Sequence, residues 1–107
     1  MKIDIKAKNF ELTDAIRDYI EDKMSYFDRF FEEEIRDGSA EVTFEVAKTT
    51  NHHENGEIYY AEANLSVPGK VIRGDRNASD LYVAIDEVKD VLAQEVRKFK
   101  EIKANQG

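Results

Sequence analysis

Apolar and polar residues alternate along three stretches of the chain, which is the period of a β-strand with one buried face. The stretches are Lys2–Lys8, Ser39–Lys48 and Ile58–Val67. Pro68-Gly69 then predicts a tight turn into a fourth strand over Lys70–Arg73 or slightly beyond. Because only hairpin connections separate the last three strands, we expect them to form an antiparallel meander.

Two other stretches carry apolar residues every three or four positions, which is the period of an amphipathic helix. The first is predicted to begin after a Thr13 cap and to run to about Ile35. The second covers Asp80–Lys103, with Ser79 or Asn77 as its cap. The apolar stripes are Ile16, Ile20, Met24, Phe27, Phe31 and Ile35, widened by Tyr19 and Phe30, in the first helix, and Leu81, Ile85, Val88, Leu92, Val96 and Phe99 in the second.

The order of these elements is strand, helix, three strands, helix. Two amphipathic helices have to bury their stripes, and one face of a four-stranded sheet can cover both. The sequence therefore predicts an α+β fold with two layers, β-α-β-β-β-α, in which both helices pack on one face of the sheet. A chain of 107 residues is long enough for one modest core, so we expect a single domain over residues 1–107.

The acidity of the chain is concentrated in one region. Residues 32–62 hold nine acids and two bases, which equals the formal net charge of −7, while the remainder holds 14 acids and 14 bases. Two hypotheses follow. In the first, a polyanion contacts the neutral ends of the chain. In the second, the chain is a protein-interaction module that binds a basic partner through its acidic 32–62 surface.

Several classes of protein are disfavoured by what the sequence lacks. There is no cysteine, which suits a reducing cytoplasm, and no apolar run approaches the length of a membrane helix. The first nine residues alternate in polarity instead of forming the apolar run of a signal peptide. We therefore expect a cytoplasmic protein without a membrane partner.

The common arrangements of catalytic residues are also missing. The five glycines lie in turns or at the end rather than in a phosphate-binding loop. His52, His53 and Glu54 are candidate metal ligands, but adjacent residues seldom converge on one ion, so a solvated hairpin tip is the favoured interpretation. We predict no enzyme activity, no cofactor, no metal and no small-molecule substrate.

Four aromatic rings cluster late in the first helix, at Tyr26, Phe27, Phe30 and Phe31. Such a cluster can be a stacking platform for nucleic-acid bases or, as we favour, a part of the core and its rim. Scattered basic residues on the first strand and both helices are candidate contacts to phosphate groups. The candidates are Lys8, Arg17, Lys23, Arg97, Lys98 and Lys100.

Three segments resemble the family of ribosome hibernation-promoting factors and ribosome-associated inhibitors, also labelled sigma-54 modulation proteins. They are ELTDAIRDYIEDK (Glu11–Lys23), KTTNHHENGEIYYAEANLSVPGKVIR (Lys48–Arg73) and DLYVAID (Asp80–Asp86), the last being the most specific. The resemblance spans nearly the whole chain. It implies the topology of a double-stranded-RNA-binding domain, with the small ribosomal subunit, its rRNA and its proteins, as the partner.

The resemblance further implies a mechanism and a site. The domain would fill the channel for messenger and transfer RNA, block translation and protect idle ribosomes, as part of a stress response. The bases that contact RNA would lie mainly on the two helices, where they match Arg17, Lys23, Lys98 and Lys100, with Lys8 nearby. Such contacts read phosphates and shape rather than base identity.

This chain also departs from the family. Where many members place basic residues midway along the helices, it has Tyr26, Val91 and Gln94, and each lost phosphate contact lowers affinity and salt sensitivity. The carboxy-terminal domain by which long members pair ribosomes is not in the sequence. We therefore expect a short member or an amino-terminal domain that does not dimerise ribosomes unaided, and the sequence makes no prediction about self-association of the chain.

Overall fold

A computed structural model describes residues 1–51 and 56–106. The elements follow the predicted order, and the additions are two short helical segments after the first helix. In chain order they are β1 (Lys2–Lys8), α1 (Asp14–Ser25), a 3₁₀ helix (Tyr26–Phe30), α2 (Glu32–Arg36), β2 (Glu41–Asn51), β3 (Gly56–Val67), β4 (Lys70–Ala78) and α3 (Leu81–Gln106).

The four strands form one sheet in the order β1-β2-β3-β4. β2, β3 and β4 pair antiparallel, as the meander predicts. β1 pairs parallel to β2, because the chain between them crosses over through α1 and returns to the same end of the sheet. The registers run without a bulge, from Lys2 opposite Glu41 in the first pair to Val67 opposite Lys70 in the last.

Alternation along the strands gives the sheet one covered and one open face. The inner residues Val42, Phe44 and Val46 of β2 are buried, while the intervening side chains point to the open face. Both long helices lie on the covered face, where their predicted stripes join the inner strand residues in one core cluster. The predicted two-layer α+β fold is therefore confirmed.

α3 packs on β3 and β4, and its closest approach to β4 is at Gly74. A Cβ built at Gly74 would lie 3.3 Å from Cγ1 of Val91 and 3.4 Å from the carbonyl oxygen of Val88. A side chain at position 74 would therefore hold α3 away from β4. The absence of a side chain lets the helix settle against the strand.

The first helix does not continue to Ile35 as predicted. α1 ends at Ser25, and Phe31, with φ of −136°, separates the 3₁₀ helix from α2. The tighter winding falls where Phe27 and Phe31 both enter the core, with relative exposures of 0% and 1%. The apolar period alone does not reveal this break, because Phe27 and Phe31 lie on the inner side whether or not the helix is continuous.

Two predictions about the end of the chain need correction. The fourth strand extends to Ala78, because Gly74 and Ile72 continue its inner face beneath α3. Asp80, rather than Ser79 or Asn77, caps α3: its Oδ1 accepts hydrogen bonds from the amides of Tyr82 and Val83, at 2.8 and 3.3 Å. The Thr13 cap is confirmed, since its hydroxyl oxygen accepts from the Ile16 amide at 3.2 Å.

Candidate nucleic-acid interface

Three cations gather around the ring of Tyr26, where the 3₁₀ helix meets α3. The Nζ of Lys89 and the Cζ of Arg29 lie 4.3 and 4.5 Å from the ring centroid. The guanidinium of Arg97 donates a hydrogen bond to the phenol oxygen of Tyr26 at 3.1 Å. Cation–π attraction and this hydrogen bond hold three like charges close together although they repel one another.

Two further cations extend the group along the line between α1 and α3. Lys100 lies 4.6 Å from the centroid of the Phe31 ring, and Lys23 lies 5.2 Å from that of Tyr19. Both side chains are partly buried, so each ammonium covers an aromatic surface while its charge stays accessible. We call this group the cationic seam; its members are Lys23, Arg29, Lys89, Arg97 and Lys100.

Most of the seam has no carboxylate partner. Within residues 1–51 and 56–106, Lys23 is the member that forms an ion pair, with Oδ1 of Asp86 at 3.4 Å. That carboxylate is the main cause that raises the pKa of Lys23. The Tyr19 hydroxyl donates to the same Oδ1 at 2.6 Å, and this hydrogen bond raises the pKa of Tyr19. The other four cations remain available to an external anion.

The structure brings together three of the six residues predicted from the sequence: Lys23, Arg97 and Lys100. Lys98 lies on the opposite side of α3, beside β4, where its Nζ is 4.0 Å from Glu95. Arg17 is exposed on α1, but two residues before Tyr19 it points to nearly the opposite side of that helix. Neither contacts the seam.

Lys8 lies on the other layer of the molecule altogether. The expectation that it lies near the helical bases is wrong, because the alternation of β1 directs it to the open face of the sheet. There its Nζ is 2.9 Å from Glu45 of β2, and that hydrogen bond raises the pKa of Lys8. Lys8 is therefore a paired residue on the face away from the seam.

Lys89 and Arg29 are not among the residues predicted from the sequence, and Tyr26 was not predicted to contact cations. Lys89 precedes Arg97 by eight residues and Lys100 by eleven, so helical spacing places all three on one side of α3. That spacing is a signal in the sequence. Arg29 had no comparable signal, because its direction depends on the 3₁₀ winding that the apolar pattern does not predict.

The four-ring cluster forms part of the core and its rim, as favoured. Phe27 and Phe31 are buried, and Phe30 is partly buried against the core. Tyr26 contacts Phe27 edge-on at a centroid distance of 5.2 Å and carries cations over its ring. Cations therefore already lie over the ring of Tyr26, where a base would have to stack.

The open face of the sheet carries a different arrangement of charge. Glu62 accepts hydrogen bonds from Tyr60 at 2.6 Å, from Asn64 at 2.8 Å and from Arg73 at 2.9 Å. Arg73 also bonds Asp75 at 2.9 Å. The bond from Tyr60 is the main cause that lowers the pKa of Glu62 and raises that of Tyr60 to about 12. The charges of Glu62, Arg73 and Asp75 therefore neutralise one another.

The acids of residues 32–62 do not form one surface. Glu32 and Glu33 are exposed on α2, whereas Glu41, Glu45 and Glu62 belong to the open face of the sheet. Glu62 is largely occupied by its three donors. His52, His53 and Glu54 lie outside the described residues, and within the described part of the chain no group of acids or histidines is arranged to hold a metal.

No helix in the described part of the chain has both the length and the apolar character needed to cross a membrane.

The fold and the site together define a class of protein: a small two-layer α+β domain whose helices carry a basic surface backed by aromatic rings. The model of the family described as "Sigma 54 modulation protein / S30EA ribosomal protein" matches residues 3–103. The chain belongs to this family, as its resemblance implied.

Two curated relatives illustrate how far the similarity extends. The ribosome hibernation promotion factor of Deinococcus radiodurans is 38% identical over 96 residues, which are 90% of this chain and 47% of that protein. The ribosome hibernation promoting factor of Klebsiella oxytoca is 33% identical over 101 residues, covering 94% of this chain and 95% of that protein. The chain thus spans about half the length of the first curated relatives it matches.

A solved structure has the same fold. The N-terminal domain of Protein Y from Thermus thermophilus superposes with a TM-score of 0.69 and 32% identity, covering 92% of this chain and 99% of that domain. The likeness extends over both layers, since it covers nearly all of each chain. It places the sheet and the helices of the cationic seam in a fold that an experiment has established.

Proposed function

We propose that this domain is a ribosome-associated translation inhibitor that occupies the messenger and transfer RNA channel of the small ribosomal subunit and stabilises idle ribosomes. Membership of a family whose curated relatives are named ribosome hibernation factors supports this role. The observation that carries it in this chain is the cationic seam. Four of its five charges have no carboxylate partner within the described residues.

The seam suits the phosphate backbone of folded RNA. Arginine and lysine side chains donate charge-assisted hydrogen bonds to phosphate oxygens, and an RNA surface supplies several phosphates at once. No group in the seam is arranged to read a base edge, so recognition rests on shape and charge. Arg17 and Lys98 flank the seam on either side and would meet neighbouring phosphates only where the RNA wraps around the helices.

Inhibition in this proposal needs no chemistry. A compact domain that fills the channel excludes messenger and transfer RNA by its volume, so the protein acts in the cytoplasm as a ligand of the ribosome and not as an enzyme. The affinity has to overcome the net charge of −7, which repels RNA at long range. The open face of the sheet, with its internally paired charges, would point away from the RNA.

The experiment is a competition on isolated small subunits. Subunits carrying the fluorescently labelled domain are titrated with a short messenger and its cognate transfer RNA, and release of the label is followed by anisotropy. We expect release at messenger and transfer RNA concentrations that saturate the decoding site. The same titration with the large subunit supplies the control for non-specific binding to RNA.

Two outcomes would contradict the proposal. Retention of the domain on subunits filled with messenger and transfer RNA would place its site outside the channel. Absence of binding to small subunits at low salt would remove the ribosomal role altogether. The rival hypothesis of an acidic 32–62 surface gains no support from the described acids of that segment, because those on α2 and those on the open face of the sheet belong to different layers.

A further inference from the structure

The two edges of the sheet differ in how they are protected. β1 and β4 are its terminal strands, and each leaves one row of backbone amides and carbonyls without a neighbouring strand among the described residues. Natural proteins protect such edges with lysines, prolines or bulges, because an open edge can pair with another chain. β1 has this protection, since its outward side chains include Lys2, Lys6 and Lys8.

β4 carries charges of both signs, at Lys70, Arg73, Asp75 and Arg76, instead of a row of lysines. It runs for nine residues without proline or bulge, and its outward side chains are Val71, Arg73, Asp75 and Asn77. The two-residue turn makes Val67 and Lys70 a hydrogen-bonded pair. The backbone groups of the four outward residues therefore point away from β3, toward the edge. A strand of suitable sequence could continue the sheet there.

A groove lined by apolar and charged residues lies along this edge, between β4 and the last turns of α3. Its volume is about 450 Å³. Val71 is 57% exposed and Ile102 is 51% exposed, which is unusual for large aliphatic side chains in this molecule. The groove is lined by Lys70, Val71, Ile72, Arg73, Glu95, Lys98, Phe99 and Ile102. A strand added to β4 would cover both exposed residues.

The charge pattern of β4 is complementary to itself. When two copies pair antiparallel about Gly74, all nine residues overlap and Arg73 of each copy faces Asp75 of the other. No like charges then face each other. Registers centred on Arg73 or Asp75 oppose two arginines or two aspartates. In β1, by contrast, full overlap about Ile5 places Lys2 opposite Lys8.

We propose that β4 is a self-association edge, through which two copies of this chain pair antiparallel about Gly74 to form a continuous eight-stranded sheet. Up to about eight backbone hydrogen bonds would join the copies, with Val71 and Ile102 buried beside them. The cationic seam lies on the side of α3 toward α1 and stays exposed in the pair. This inference goes beyond the proposed ribosomal role and does not depend on it.

The first test is sedimentation equilibrium of the whole chain from about 10 µM to about 1 mM, a range in which small interfaces associate. We expect the mean mass to rise from 12.4 kDa toward twice that value. Val71→Lys places a lysine on the edge and should weaken association at least about tenfold. Asp4→Lys makes a comparable change on β1 and should leave association unaltered.

The second test fixes the register. The natural chain has no cysteine, so each engineered thiol is unique. A mixture of Val71→Cys and Asn77→Cys chains should form a mixed disulfide under mild oxidation, because these positions face each other in the pair. Either chain alone should remain uncrosslinked. A monomer at 1 mM, or cross-linking of Val71→Cys with itself in preference to the mixture, would overturn the proposal.

Discussion

The cationic seam and the open face of the sheet both contain lysine and arginine, but the two surfaces differ in how these cations are paired with carboxylates. In the seam, Lys89, Arg29 and Arg97 surround one tyrosine ring and have no carboxylate partner within the described residues. On the sheet, Lys8 and Arg73 are held by the carboxylates of neighbouring strands. We therefore propose that local pairing, rather than net charge, distinguishes the surface that contacts phosphate.

The proposed binding of a polyanion by an acidic chain is physically consistent with this difference in pairing. Long-range repulsion from the net charge is screened over about 8 Å at physiological salt, whereas direct contacts act within hydrogen-bond distance. An unpaired guanidinium does not have to leave a carboxylate before it meets a phosphate. A paired one does, and for an exposed pair that exchange costs up to about 1 kcal/mol.

The largest expected effect comes from reversing the charge of the cationic seam, and the same reversal on the open face of the sheet is its control. Replacing Arg29, Lys89 and Arg97 by Glu should lower affinity for small ribosomal subunits at least about 100-fold, because each charge-assisted hydrogen bond is worth about 1.5 to 3 kcal/mol. Co-sedimentation measures the loss. Replacing Lys2, Lys6 and Lys8 by Glu makes the same change in net charge on the sheet, and we expect less than about a threefold loss there. Equal losses would mean that net charge alone governs binding.

Substitutions at Tyr26 test whether the position of the cations affects binding when their number is unchanged. Tyr26→Leu removes the ring under Lys89 and Arg29 and should lower ribosome affinity about tenfold, since cation–π contacts hold these side chains by about 0.5 to 1 kcal/mol each. Tyr26→Phe removes only the hydrogen bond to Arg97 and should lower affinity about threefold. Tyr19→Phe is the matched control seven residues earlier, and affinity should stay within twofold. Fluorescence anisotropy of the labelled domain, titrated with small subunits, resolves these steps.

Glu62 tests the claim that the sheet charges serve stability. Its folded pKa is lowered, so its contribution is present above the unfolded pKa and is lost as pH falls through the folded value. Glu62→Gln should therefore lower the free energy of unfolding by about 1 kcal/mol near pH 7. It should change little at a pH below both values. Urea denaturation at the two pH values measures this, and a loss of equal size at both would refute the ionic explanation.

Tyr60 gives the smallest and most local effect. Its hydrogen bond to Glu62 raises the pKa of the phenol to about 12, so in a spectrophotometric titration it should ionise at a higher pH than an ordinary phenol. A raised folded pKa means that the stabilisation is complete below the unfolded value and is lost as pH rises through about 12. Glu62→Gln should move the Tyr60 titration back toward that of an ordinary phenol. A titration unaltered by that substitution would contradict the hydrogen bond.

The sequence predicted most of the fold because the two apolar periods differ so clearly. Alternation identified the strands, and the helical stripes at Ile20 and Ile85 identified the layer that covers them. The break at Ser25 and the extension of β4 to Ala78 escaped prediction. Both depend on how residues pack across elements, at Phe31 and at Gly74, and the local pattern contains no record of such contacts.

The candidate site was predicted only in part. Lys23, Arg97 and Lys100 come together because each lies beside the line between α1 and α3. Lys8 and Lys98 were equally basic in the sequence, yet strand alternation and helical phase direct them elsewhere. The contribution of Tyr26 could not be predicted from the sequence, because it depends on three cations from two segments that converge on its ring only in the folded chain.

The central claim is that the seam contacts phosphates directly, and salt dependence tests it most directly. The logarithm of the binding constant for small subunits should fall linearly with the logarithm of salt concentration, and each lost phosphate contact should reduce the slope by about one. For Lys89→Gln with Arg97→Gln we predict a slope smaller by about two, and for Lys2→Gln with Lys6→Gln an unchanged slope. An unchanged slope in the seam variant, or equal reductions in both, would contradict the account.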